Sequence, residues 1–489
     1  MSKMTMTLCV VASALACAPF ARAEDLSAIV DMTLGHDAEL AQARAAYEAA
    51  KQAIPVARAA LLPQVGGGWG RTYNRIDVED FPRQSYWQSG WMVNVSQALF
   101  DWSKWTAYRQ SDYVAARGVV DLAGAQQSAM LRAVKAYFEE LAAEDELKRT
   151  IDYGAAIEAQ SLEIRRRRSA GEATVIDVRD GEVAREQARV QQLDAQQELS
   201  IKRRAVEQVS GQPFTVLATL PRDLPLPRLS PENSEVWVGE AKTRGYDVQS
   251  KQIDWEIARF DTKKARAAGY PVVNVTGSYT PAGAAAGYAR PTTTTTGMLS
   301  VSIPLLTGGE IQGRVRQSLA LEDKAEQGFV LASRQAETSA RDNHARYIQS
   351  RERTATLTRL VESSREALDA TKIGYRTGSR TSVDVLRAID TFYITQRDLM
   401  RARYEAVVTL LSLKADVATL SIEDIAQISS MLCCTVKKSH EERAPAPGYA
   451  IPVSANPGEL GFELQPLLPE PAPAISPMQS PRDRPASGS

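Results

Sequence analysis

Two short segments of this chain, 207 positions apart, carry the same structural instruction. Between Arg168 and Val178, Gly171 follows a long helical run and suits the left-handed position that ends a helix. Thr174 with Asp177 three residues on then reads as an N-cap with its capping-box acid, starting a new helix. Between Tyr375 and Leu386, Gly378 plays the stop, and Thr381 with Asp384 plays the start. A chain that carries one helical hairpin twice is confined to tandem-repeat architectures, and the segments between the hairpins must be read for a second copy of everything else.

That second copy is present. Glu24 to Leu62 is Ala-rich and reads as one helix with a kink at Pro55, ending before Pro63. Val65, Gly67, Trp69, Arg71 and Tyr73 then alternate with Gly66, Gly68, Gly70, Thr72 and Asn74, a two-residue period. After a charged loop from Arg75 to Gln84, Trp91, Val93 and Val95 alternate with Asn94 and Ser96. No proline occurs from Ser103 to Ala170, which predicts a helix on the order of 100 Å long. A second helix spans Thr174 to Ser210. The plan then repeats: a helix from Ser234 to Ala268, a stop at Pro271, and Val273, Val275 and Tyr279 alternating with Asn274, Thr276 and Ser278. Leu299, Val301 and Ile303 alternate with Ser300 and Ser302, and another long helix leads to Gly378. Beyond Thr381, Val385, Phe392, Leu399, Ala406 and Leu413 form a seven-residue column, flanked by Leu386, Tyr393, Met400 and Val407. That is a coiled-coil seam.

The expected organisation is a signal peptide over 1–23, a first repeat over 24–210 and a Pro-rich connector over 211–233. A second repeat follows over 234–432, and a tail over 433–489. The leader has Lys3, an apolar run from Leu8 to Leu15 and a small-x-small site at Ala21 to Ala23. A lipoprotein-type site ending at Cys17 is the weaker rival. Removing the leader leaves only Cys433 and Cys434, which are adjacent and so suit neither an ordinary disulfide nor a zinc site. The last 45 residues hold 11 of the 24 prolines and read as disordered.

Charge is balanced, 58 basic against 59 acidic residues, so nothing argues for a nucleic-acid partner. His36, His344 and His440 sit in no ligand-spaced motif, and no nucleophile–base or phosphate-loop pattern occurs. The chain reads as a non-enzyme without cofactor or metal. Four alternating strands in an exported chain suggest a membrane β-barrel, with Tyr73, Trp91, Trp102 and Tyr279 as interfacial aromatics. A soluble sheet with one buried face remains the alternative. Four strands cannot close, and a barrel of about eight is filled by its own side chains, so a conduit needs at least three chains and twelve strands.

The segment Gly378-Ser-Arg-Thr-Ser-Val-Asp-Val-Leu386, preceded by Tyr375, resembles the periplasmic-tip motif of the TolC-type outer-membrane channel-tunnels. The resemblance covers roughly residues 24–432. It implies a homotrimer with an α+β fold. Long coiled-coil hairpins form a periplasmic α-barrel, and four strands per chain form a twelve-stranded outer-membrane barrel in lipid. It implies a passive exit duct working with an inner-membrane ABC or other transporter and a periplasmic adaptor. The tip favours type I secretion of a protein such as an RTX-type toxin, with small-molecule efflux as the alternative. A periplasmic coiled-coil adaptor or scaffold is the rival of another class.

The resemblance also implies a gate. Asp384 projects into the lumen, and Asp177 pairs with Arg380 to hold the entrance shut. Against this stands the plain reading that both acids only cap their helices. Two features of the family pattern are missing: Ile176 stands where Tyr375 would find a hydroxyl partner, and Arg387 stands where a second inward acid belongs. The run Arg165, Arg166, Arg167 and Arg168 is a candidate adaptor-docking patch, or simply the solvated basic end of a helix.

Overall fold

The structure, a computed structural model, describes residues 24–432 apart from 78, 81, 215, 222–225 and 282–292. The leader over 1–23 and the tail over 433–489 lie outside the described residues. In chain order the elements are α1 (Leu26–His36), α2 (Ala38–Lys51), α3 (Ala53–Ala59), β1 (Gln64–Ile76), β2 (Gln84–Phe100), α4 (Trp102–Ser169) and α5 (Val175–Ser210). Then come α6 (Ser234–Arg244), α7 (Tyr246–Ala267), β3 (Val272–Thr280), β4 (Thr294–Ser302), α8 (Glu310–Arg376), α9 (Ser382–Asp416) and α10 (Ile422–Met431). The order helices, strand pair, long helical hairpin therefore occurs twice.

The long helices form as the sequence predicts. At 68 residues, α4 extends about 100 Å. It packs along α5, while α8 packs along α9, and α4 also meets α9, which joins the two hairpins side by side. On α9, Val385, Leu399, Ala406 and Leu413 are buried and Phe392 is half-buried, so the seven-residue column faces the bundle.

Two expectations are corrected. The helix expected over Glu24–Leu62 is three helices. It breaks at Asp37, which leaves helical geometry and whose carboxylate receives Arg132 from α4, and again at Gln52. Pro55 sits in the first turn of α3, where its missing N–H costs nothing. The helix expected over Ser234–Ala268 breaks at Gly245, where an added Cβ would lie 2.6 Å from the Ala241 carbonyl oxygen. Only glycine fits that turn. After α9 comes the short α10, started by Ser421 and Asp424 in the same capping box as the two tips.

The middle of the molecule is held by one apolar cluster. Leu26, Ile29, Tyr137, Phe138, Val206, Leu217, Leu411 and Ile425 bring together α1, α4, α5, the connector, α9 and α10. The connector is pinned to the second half by buried side chains: the Tyr347 hydroxyl donates to the Pro227 carbonyl, and the Trp237 indole N–H to that of Pro231.

The four strands form a single antiparallel sheet in the order β1-β2-β3-β4. Register puts Trp69 opposite Trp91, Tyr73 opposite Trp87, Val65 opposite Val95 and Val275 opposite Leu299. All of these share one face. The other face carries Gly66, Gly68, Gly70, Asn94, Ser96, Asn274, Thr276, Ser278, Thr296 and Ser300.

Candidate functional site

Two regions of the chain can do work: the sheet at one end and the helical tips at the other. The apolar face of the sheet has no cover. Trp69 is 72% exposed, and Val65, Leu299 and Val301 are also exposed. Trp91 contacts Tyr279 with ring centroids 5.7 Å apart, and Tyr73 contacts Trp87 at 5.2 Å. At the helical end of the same sheet, Phe100, Trp102, Trp105 and Tyr270 are exposed as well. From Trp91 to Phe100 the strand runs about 30 Å, or roughly 23 Å along the axis at a tilt of about 40°. That matches the height of the apolar band between aromatic girdles in a membrane barrel, about 25 Å. No helix among the described residues is long and apolar enough to cross a membrane. Along their outer edges neither β1 nor β4 has a partner strand among the described residues.

The tips are built alike. Gly171 and Gly378 both adopt φ +81°, the left-handed region that ends a helix without a Cβ clash. The Glu172 N–H returns to the Arg167 carbonyl at 2.8 Å, and the Ser379 N–H to that of Gly374 at 2.9 Å. Thr174 with Asp177, and Thr381 with Asp384, form complete capping boxes. Both acids are held below the usual carboxylate range. For Asp177 the main cause is the Ser382 hydroxyl, followed by Thr174. For Asp384 it is the Thr381 backbone N–H, then its hydroxyl, with Arg380 and Arg387 adding smaller contributions. Both carboxylates are therefore charged at neutral pH.

The two hairpins are tied together at this end by contacts the sequence did not announce. Arg167, near the end of α4, reaches across to the end of α8. It donates to the carbonyls of Tyr375 at 2.9 Å and Arg376 at 3.2 Å. Its guanidinium carbon lies 4.4 Å from the centre of the Tyr375 ring. Ser382, buried at the start of α9, donates its hydroxyl to Asp177. Beneath these links, Tyr153, Ile157, Ile164, Leu368, Tyr375, Val385 and Ile389 form a common apolar cluster.

The implied pair of Asp177 with Arg380 is not formed within the chain. Arg380 instead folds its stem over Gly374, where an added Cβ would lie 2.8 Å from the Arg380 Cγ. Its charge is felt by Asp384 rather than Asp177. Arg387 is exposed one helical turn beyond Asp384. The arginine run is divided. Arg167 is occupied by the second hairpin, Arg165 pairs with Glu158 at 3.3 Å, and Arg168 donates to the Ala173 carbonyl at 3.3 Å. Arg167 is thus withdrawn from any docking set.

A sheet with an uncovered apolar, aromatic face, grafted on hairpins whose longer helices extend about 100 Å, fits an outer-membrane channel component with a large periplasmic part. The chain belongs to the outer membrane efflux protein family, whose profile matches residues 29–212 and 237–417. It is similar to the outer membrane protein TolC of Vibrio cholerae serotype O1, 27% identical over 418 residues, covering 84% of this chain and 94% of the relative. It is also similar to the proteases secretion protein PrtF of Dickeya chrysanthemi, 25% identical over 424 residues, covering 82% of this chain and 89% of that one. Its fold matches the crystal structure of the outer membrane protein VceC from Vibrio cholerae with a TM-score of 0.71 at 17% identity, over 80% of this chain and 96% of that chain. The protein is an outer-membrane component of efflux or secretion.

Proposed function

We propose that three copies of this chain close their sheets into one hollow barrel of twelve strands and serve as the passive, gated outer-membrane exit of a tripartite exporter. The sheet is the observation that carries this reading. It has one apolar, aromatic face, one face of mostly small and polar residues interrupted by Met92 and Met298, and two edges without a partner strand among the described residues. Hydrocarbon tolerates no open edge, so the sheet must close on other copies. Two copies would give about eight strands and a filled interior, whereas three leave a lumen lined by the small polar face. The helical hairpins then continue the wall into the periplasm.

The proposed cargo is a protein, delivered by an inner-membrane ABC exporter through a periplasmic adaptor as in type I secretion. The tip segment Gly378–Leu386 and the likeness to a proteases secretion protein support this. The gate is the ring of tips: Asp384 and Arg387 face the lumen, Tyr375 anchors the α8–α9 hairpin, and Asp177 and Arg380 are available to a neighbouring chain. Arg165, Arg166 and Arg168 remain for adaptor docking. Crosslinking of detergent-extracted protein gives a ladder ending at three chains on this reading. A monodisperse monomer that inserts and conducts refutes it. Loss of a secreted protein from the medium in a deletion strain, without increased drug sensitivity, separates protein cargo from small-molecule efflux.

A further inference from the structure

We propose that Arg71 and Arg75 form a binding site for the phosphate-bearing headgroup of a lipid in the leaflet farthest from the helices. This rests on the barrel reading above. The first observation is one of placement. Arg71 and Arg75 are the only charged residues in the four strands, both are cationic, and both stand on the apolar face. The polar face, where a charge is cheapest to hydrate, has none.

The second observation is of height. Going outward along β1 and β2, the apolar face presents Trp69 opposite Trp91, then Arg71 opposite Ser89, Tyr73 opposite Trp87, and Arg75 opposite Ser85. The arginines thus begin one pleat beyond the tier of Trp69, Trp91 and Tyr279, about 7 Å along the strand. A cation on the lipid side is costly at mid-membrane and nearly free at the interface, where lipid phosphates lie.

The third observation concerns partners. Arg71 and Arg75 are exposed and enter no ion pair among the described residues, whereas Arg83 in the adjoining turn is neutralised by Asp77 at 2.7 Å. The nearest other acids, Glu79 and Asp80, belong to that turn. A neighbouring copy cannot supply an acid from its second strand pair, because residues 272–302 contain none. The Arg71 side chain is also held in a receptive orientation. Its guanidinium carbon lies 4.6 Å from the centre of the Trp87 ring, a cation–π contact that seats the fork beside the aromatic pair. A guanidinium fork matches a phosphate bidentately, and the rings of Tyr73 and Trp87 between the two forks offer an apolar seat for the lipid's upper carbons.

The test uses the assembled protein, purified in detergent, with diphosphoryl lipid A and its dephosphorylated form as probes and native mass spectrometry as the readout. The parent retains the diphosphoryl form about tenfold or more tightly than the Arg71→Gln/Arg75→Gln variant, while both hold the dephosphorylated form equally weakly. Arg71→Lys/Arg75→Lys recovers part of the affinity, and Arg83→Gln behaves as the parent. Equal retention of diphosphoryl lipid A by parent and double Gln variant overturns the site. So does displacement of the lipid by millimolar inorganic phosphate, which would mark a free-anion site. A carbonate wash of membranes keeps the two failures apart: release of the parent from outer membranes refutes the barrel, whereas firm retention with no effect of the substitutions refutes only the lipid site.

Discussion

Arg167→Gln should loosen the closed tip. The side chain is only 18% exposed, donates to two carbonyls at the C-terminal end of α8 and covers the face of Tyr375. A hydrogen bond from a charged donor contributes about 1.5–3 kcal/mol, and a cation over a ring about 0.5–1 kcal/mol at an accessible site. Solvent screening reduces the first figure, and glutamine keeps one neutral bond. The net loss is about 2–3 kcal/mol per chain, a factor of roughly 30 to 150 in the local opening equilibrium. Amide hydrogen exchange reads this directly. The N–H groups of Ser379 and Arg380 both bond to the Gly374 carbonyl, at 2.9 and 3.2 Å, and report on the second tip. Their exchange should accelerate by about that factor, while the N–H of Trp105, bonded to the Asp101 carbonyl at the sheet end, should not change. Conductance in planar bilayers should rise in parallel. Arg167→Lys should restore less than half the effect, because an ammonium cannot span two carbonyls and a ring together. Parental exchange rates in Arg167→Gln, or full rescue by lysine, would refute the clamp.

Acid should loosen the same tip by a second route. The Asp177 carboxyl has its pKa lowered in the folded state, so its stabilisation is complete above the ordinary carboxylate value and is lost as pH falls through the folded one. Conductance should therefore rise below about pH 4, and Asp177→Asn should remove the part of that pH dependence due to Asp177, leaving the part carried by Asp384, whose carboxyl is lowered in the same way. Asp384 and Arg387 lie about one turn, roughly 5 Å, apart on α9, and in the proposed trimer they would form two rings, well inside a Debye length of ~8 Å, whose fields offset each other. Arg387→Asp should make the pore more cation-selective and more easily blocked by multivalent cations, and Asp384→Ala should shift it toward anions. Reversal potentials in a salt gradient decide, and an unchanged value in Arg387→Asp would remove Arg387 from the lumen.

Local chemistry made most of the fold legible. A glycine at φ +81° and a threonine three residues before an aspartate carry the whole instruction for a tip, and both tips formed where those residues stand. The alternation of Trp69, Arg71 and Tyr73 with Gly68, Gly70 and Thr72 likewise specified a two-faced strand. Sequence and structure part where tertiary contact overrides local preference. The break at Asp37 is held by Arg132, 95 positions away, and its local signal is slight: Gly35 before it and an aspartate at the N-cap of α2. Gly245 did carry a signal, as a glycine in the middle of a helical run, and α10 carried one in Ser421 and Asp424. The clamp of Arg167 on Tyr375, 208 positions on, had none beyond its membership in a basic run.

The repeat itself indicates where function resides. Duplicated positions that stay alike are those that make a tip fold: Gly171 with Gly378, Thr174 with Thr381, Asp177 with Asp384. Positions at the same offset that differ are those that join or line the tips. Arg167 corresponds to Gly374, so one hairpin supplies the clamp while the other supplies the space in which Arg380 folds back. Ser382 corresponds to Val175, and only the serine reaches the opposite acid. Arg387 corresponds to Asp180, which reverses the charge one turn into the helix. Two identical hairpins would pack symmetrically and leave nothing to distinguish an inner from an outer wall. The differences make one hairpin grip and the other be gripped, and the tip is held by few polar contacts set at the end of the apolar cluster of Tyr153, Ile157, Tyr375 and Ile389.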